Sequence, residues 1–246
     1  MESIEAVTAR LRAEHPVGRI AGNLREVVYG GNDGIVTTFA VVAGFAGAAM
    51  GGDTALVGAV AVLLFGLANL FSDATAMGLG AFLSARSQRD VYFAVRAGEL
   101  AEIDKNPDGE RAEIRDLLTA KGVDCEDAAR FADLYIRYPD LAADFMMRHE
   151  MGMADPTDEV PSVTALTTFT AFILFGCIPL IPYFLLPPDG RTFALSVLAT
   201  FGALALLGLV RWRVTTETVA RSVGETVAVG GVCAVIAYAV GVMFRL

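Results

Sequence analysis

Long apolar stretches separated by one polar region dominate the chain. Residues 35–50, 55–84, 163–186, 192–210 and 223–244 are rich in Ala, Val, Leu, Ile, Phe and Gly, whereas 86–160 are not. Each apolar stretch approaches or exceeds the roughly 20 helical residues that cross about 30 Å of hydrocarbon. The pattern predicts an all-α integral membrane protein with five transmembrane helices and a helical cytoplasmic insert between helices two and three. The expected divisions are an N-terminal amphipathic cytoplasmic segment (1–26), helices one and two (27–85), the insert (86–160) and helices three to five (161–246).

No proline occurs from 54 to 106, so helix two is expected to run on into the insert until Asn106-Pro107-Asp108-Gly109, a strong turn signal. A second insert helix is expected from about Gly109 to Ala120, stopping near Gly122. A third fills roughly 125–151, bent at Pro139. Residues 1–26 mix Glu2, Glu5 and Glu14 with Arg10, Arg12 and Arg19 and contain no apolar core. They read as a surface helix broken at Pro16, not as a signal peptide.

Mean hydropathy is +0.53 and 54% of residues are hydrophobic, yet 19% are charged. The charge is unevenly placed. Residues 86–160 hold 18 acidic and 10 basic side chains, a net −8 out of the total of −9. Such a region attracts cations and repels anionic lipid, and nucleic acid is not an expected partner. Lys and Arg near the spans set the orientation. With the N-terminus in the cytoplasm, Arg25, Arg86, Arg89, Arg148, Arg211, Arg213 and Arg221 fall inside, and Arg191 and Arg245 outside. The C-terminus is then on the opposite face. Cys125, Cys177 and Cys233 have neither metal-site spacing nor an even count, so no disulfide framework or zinc cluster is expected.

Two aspartates interrupt the apolar pattern. Asp33 lies in Gly30-Gly-Asn-Asp-Gly34 with Thr37 four residues on, and Asp73 lies on a stripe with Asn69 and Met77. A carboxylate in hydrocarbon costs a few kcal/mol even on lenient scales and is usually functional. Asp33 has an alternative as a helix N-cap, because Asn-Asp-Gly favours caps and turns. Asp73, mid-segment, has the alternative of a buried carboxylate bonded to a neighbouring helix. Small residues at Ala40, Gly44 and Ala48, and at Gly47 and Gly51, permit close helix approach and hint at a dimer face.

In the insert, Glu99 and Glu102 flank the turn on one side and Glu110 and Glu113 on the other, each pair at i, i+3. An antiparallel hairpin would set Glu102 near Glu110 and Glu99 near Glu113, as two rungs of carboxylates. Bound divalent metal or protonation would relieve their repulsion. A solvated face with Arg96, Lys105, Arg111 and Arg115 as partners is the alternative. Met146 and Met147 share a face with Glu150, and mixed thioether and carboxylate donors suit a borderline transition metal. A Met pair is also common core packing. His149 is expected at the surface and not as a ligand.

Taken with Tyr29-Gly-Gly-Asn-Asp-Gly-Ile-Val-Thr-Thr-Phe39, Ala76-Met77-Gly-Leu-Gly80, Phe82-Leu-Ser-Ala-Arg86, Asp144-Phe-Met-Met-Arg-His-Glu150 and Ile178-Pro-Leu-Ile-Pro-Tyr183, the chain resembles the vacuolar iron transporter family. That family includes the yeast calcium-cross-complementer and plant nodulin-like relatives. The resemblance implies a homodimeric carrier that moves Fe2+, and often Mn2+, out of the cytoplasm in exchange for protons. It implies metal ligands at Glu99, Glu102, Glu110, Glu113, Met146, Met147 and Glu150, and a translocation path through Asp33 and Met77. Asn69 stands where eukaryotic members carry a glutamate, and Asp73 where they carry a small residue, as if the carboxylate had moved one turn. The short first loop also differs from members with a longer one; the chain is read as a prokaryotic-type member and, if prokaryotic, is expected in the plasma membrane.

The expected path is therefore Asp33, Asp73, Met77, Asn69 and Thr37, with metal ions, protons and lipid as partners and no cofactor. A membrane-anchored metal sensor or storage protein, and a channel, are the other readings. The chain has no His-Glu-x-x-His and no Glu-x-x-His pair of the di-iron bundles, so an enzyme is not expected.

Overall fold

The computed structural model describes residues 7, 10, 11, 22–48, 55–187 and 190–243, without the side chains of 47, 48 and 55–59. Most of the expected amphipathic start (1–26), and the first loop with Gly51, lie outside the described residues. Nine α-helices are described, with no strand among the described residues. In chain order they are α1 (Leu24–Ala48), α2 (Ala55–Lys105), α3 (Pro107–Ala120), α4 (Cys125–Ile136), α5 (Pro139–His149), α6 (Pro161–Gly176), α7 (Ile181–Leu185), α8 (Gly190–Val214) and α9 (Val219–Met243). The chain forms two compact units: residues 1–82 with 162–246, and residues 83–161.

In the first unit the apolar side chains point outward as well as inward. Leu64, Phe65, Leu79, Leu166, Leu198 and Val235 are all exposed, as helices in contact with lipid require. Among the described residues four helical segments are long and apolar enough to cross a membrane: Val60–Lys105, Pro161–Leu185, Gly190–Val214 and Val219–Met243. Helix α1, which carries Arg25, Glu26 and Asp33, is not among them. The third apolar stretch is interrupted: α6 ends at Gly176 and the chain passes through a 3-10 turn, Ile178–Leu180, into α7. Pro179 and Pro182 lack the N–H groups that a continuous helix needs there. The Ser196 hydroxyl on α8 donates to the carbonyl of Pro179 at 2.6 Å, so the interruption is bonded.

Glycines set how closely these helices approach. A Cβ on Gly30 would lie 2.7 Å from the Thr168 carbonyl oxygen, and one on Gly34 would overlap the backbone of Phe172, so α1 and α6 touch main chain to main chain. Gly208 meets Val223 in the same way, and a Cβ on Gly241 would lie 2.7 Å from the Gly44 carbonyl oxygen. Gly44, one of the small residues expected at a dimer face, thus serves the packing of α1 on α9 within the chain. Buried hydroxyls return to helix carbonyls, Thr168 to Thr164, Thr200 to Ser196 and Thr226 to Ser222, which avoids orphaned polar groups.

The second unit is a small helical bundle with its own core of Ile103, Ile114, Ala132, Ala142, Ala143 and Met146. Helix α2 stops at Lys105 because Asn106 caps the next helix, its side chain accepting from the Gly109 N–H at 3.2 Å, with Pro107 in the first turn. Gly122, at φ 93°, ends α3. The expected third helix is two: Pro139 does not bend it but begins α5.

Candidate metal centres

Glu99 and Glu110 are carried inward by the residues one turn beyond them. Ile103 follows Glu99 by four positions and Ile114 follows Glu110 by four, and both isoleucines are fully packed in the core. The glutamates on the same stripe are buried with them, Glu99 at 8% exposure and Glu110 at 5%. The charges of Glu99, Glu113 and Glu150 all bear on Glu110. Burial first, then these neighbouring charges, push Glu110 up to about 7. Burial, then Glu99 and Glu113, also raise Glu150. One oxygen of Glu110, Oε2, is buried with no hydrogen-bond partner.

The four glutamates Glu99, Glu110, Glu113 and Glu150 therefore share one field. The rungs expected from spacing differ in one respect: it is Glu99 and not Glu102 that bears on Glu110. Glu102 sits next to Ile103 in sequence, about 100° around the helix from the buried direction, and is half-exposed with Lys105 Nζ at 3.8 Å.

Three arginines of this unit are engaged with aspartates. Arg96 binds Asp140 and Asp144. Arg111 binds Asp108 and lies 2.9 Å from Asp133. Arg115 binds Asp116. Of the partners in the expected alternative, Arg96, Lys105, Arg111 and Arg115, Lys105 reaches a glutamate, Glu102, while the three arginines are held by aspartates.

Met146 and Met147 are both fully buried. Met146 is part of the apolar core, while Glu150 caps α5, its N–H donating to the Met146 carbonyl at 2.9 Å. His149 rests against Phe145, ring centroids 4.6 Å apart. Met147 and Glu150 are thus presented by the end of α5. The donor set fits a divalent cation, since the orphaned Glu110 oxygen and its anionic neighbours lack only a positive partner. The carboxylates are gathered but not closed: among the described residues no three His, Cys, Asp or Glu side chains stand close enough to hold one ion as they are.

In the membrane unit Asp33 lies well inside α1, so it is not an N-cap. The glycines of its motif serve helix contact, not a turn. Asp33 and Asp73 are near enough for their charges to repel. Asn69 donates its amide to Asp73 Oδ2 at 2.7 Å. Met77 packs with Leu70, Ala74 and Phe172. The Thr37 hydroxyl donates back to the Asp33 carbonyl at 2.8 Å, leaving its oxygen lone pairs free.

Thr38, which sequence reasoning passed over, is completely buried, and its hydroxyl has no partner. The signal was the second hydroxyl of Thr37-Thr38 on the apolar face. Asn69 also lines, with Ser72, Ala40, Gly44 and Phe65, an open groove of about 690 Å3 between α1 and α2.

Residues 24–242 match the model of the VIT family. The chain is 34% identical to vacuolar iron transporter 2 of Oryza sativa over 87% of its own length and 85% of the relative's. It is 31% identical to vacuolar iron transporter 1 of Arabidopsis thaliana, over 87% and 83% of the two chains. With the vacuolar iron transporter of Toxoplasma gondii the identity is 31%, over 91% and 74%. Matched along nearly its whole helical length, and with helices suited to lipid, this chain is an integral membrane protein that belongs to the vacuolar iron transporter family.

Proposed function

We propose that the protein carries divalent transition metal, Fe2+ and also Mn2+, out of the cytoplasm in exchange for protons. The observation that carries this reading is the separation of charges in the acidic unit. Arg96 and Arg111 are held by aspartates, and four glutamates, one of them raised to about 7, are left facing one another. Such a group takes up a divalent cation or a proton, and the two compete for the same oxygens. Glu99, Glu110, Glu113 and Glu150 collect the ion with Met147 as a thioether donor. Glu102 and Met146 are peripheral, one on Lys105 and the other in the core.

In this reading α1 is a fifth span, the acidic unit and the N-terminus are cytoplasmic, the C-terminus is on the far side, and the carrier is a homodimer. Metal is passed to Asp73 and Asp33, with Met77, Asn69 and Thr37 completing the path. Protons arriving from the far side discharge the carboxylates and release the metal. The relatives are named as iron transporters, which supports metal transport over a sensor or store.

The test is metal-driven proton flux in proteoliposomes holding the unchanged protein or Asp73→Ala, across Fe2+, Mn2+, Co2+ and Zn2+. Flux is expected with Fe2+ and Mn2+ and is abolished by Asp73→Ala. Equal flux from the variant removes Asp73 from the path, and binding without flux in the unchanged protein favours a sensor.

A further inference from the structure

Arg96 lies three residues before Glu99 on α2, the spacing at which opposite charges on a helix ordinarily pair. It does not pair there. Its Nε donates to Asp144 Oδ1 at 2.7 Å, and its Nη2 to Asp140 Oδ1 at 3.0 Å and to the Asp140 carbonyl at 3.4 Å. Asp140 and Asp144 stand four apart on α5, the helix that presents Met147 and ends on Glu150. The Arg96 side chain is only 21% exposed, so the contact is partly removed from water. Asp155, a further carboxylate near buried Tyr92, is engaged by the N–H and hydroxyl of Thr157.

A guanidinium is permanently charged, and its planar fork fits carboxylates. One tethered a turn away from Glu99 acts at an effective concentration on the order of millimolar, well above that of a trace metal ion. From these placements we infer that Asp140 and Asp144 sequester Arg96, holding its guanidinium off the glutamate cluster so that those carboxylates stay open to a divalent cation. The inference rests on the metal-collecting reading of the cluster. It gives two exposed aspartates that do not bind metal a role in metal affinity, and it makes Arg96 the competitor that they restrain.

The experiment is a calorimetric titration of the full chain in detergent micelles with Mn2+. Four forms are compared: unchanged, Asp140→Asn/Asp144→Asn, the same pair with Arg96→Gln, and Arg96→Gln alone. The paired aspartate variant is expected to bind Mn2+ about tenfold more weakly, the scale of one hydrogen bond to a charged group. Adding Arg96→Gln restores affinity to within about twofold, while Arg96→Gln alone changes it by less than about twofold. That non-additivity separates sequestration from a general change in field, whose contributions add.

Unchanged binding by the aspartate pair, or no recovery on adding Arg96→Gln, overturns the inference. So does a loss from Arg96→Gln alone as large as that of the pair, which would mean that the clamp only positions α5. If the paired variant does not fold, as judged by helicity and thermal unfolding, Asp144→Asn with and without Arg96→Gln is read in its place. Absence of Mn2+ binding by the unchanged chain overturns the metal-collecting reading as well.

Discussion

In the acidic unit charges are plentiful, and around the glutamate cluster they are sorted: Arg96 and Arg111 are held by aspartates, while Glu99, Glu110, Glu113 and Glu150 face one another. In the membrane unit Asp33 and Asp73 are set among apolar helices outside the ion pairs of Arg211 and Arg221 with Glu217 and Glu225, and Asp73 leans on a single amide, Asn69. The backbones differ too. Helices of the membrane unit meet through glycine, so that Gly34 and Gly30 have main chain where a Cβ would be, whereas Gly98 in the acidic unit has nothing within 4 Å. Where water surrounds a helix, affinity for an ion is tuned by which charges are paired. Where lipid surrounds it, polar groups are few and their placement depends on how closely the backbones pack.

The largest effect expected from this contrast concerns backbone packing. Gly34→Ala should destabilise the protein by about 1–3 kcal/mol, the usual cost of overpacking, because neither neighbour is the free end of a side chain. Gly98→Ala should be neutral or stabilising by up to about 1 kcal/mol, from helix propensity alone. Thermal unfolding in detergent compares the two, and equal effects would break the contrast.

Next in size is Glu110→Gln, which should weaken Mn2+ binding by about tenfold at neutral pH, as loss of one charged donor in a shared site does. It should also flatten the loss of affinity that the unchanged protein shows as pH falls through 7, where the proton takes the Glu110 oxygens.

A smaller effect concerns the metal-free protein. Glu110 is raised from 4.5 to about 7, so the folded state holds a proton that the unfolded chain has lost. Its contribution to stability is full below about 4.5 and declines as pH rises to about 7. Urea unfolding of the metal-free full chain should follow that slope, and Glu110→Gln should remove it.

The smallest effect is at Glu102. Half-exposed beside Lys105, Glu102→Gln should change Mn2+ affinity by less than about twofold, as is typical of exposed ion pairs. A tenfold loss would restore the rungs expected from spacing.

Much of this was legible from the residues. The helix without proline from Ala55 to Lys105, the turn at Asn106-Pro107 and the end of α3 near Gly122 follow from local backbone chemistry, which needs no partner. The gathering of glutamates was visible as spacing. Which of them face inward was not, because that depends on Ile103 and Ile114 entering the core, and i, i+3 spacing cannot tell Glu99 from Glu102. The segregation of Arg96 onto α5 was hidden because it joins residues 44 and 48 positions apart. The Gly30–Gly34 motif suggested a turn, and close helix contact, a tertiary property, turned out to be its use.

The most direct test of the account records Mn2+ entry and lumenal pH together in liposomes holding the full chain, with an acidic lumen and no other ion gradient. Mn2+ uptake accompanied by alkalinisation of the lumen, with neither occurring alone, is the predicted result. Mn2+ uptake with no change in lumenal pH, or binding with no uptake at all, would contradict it.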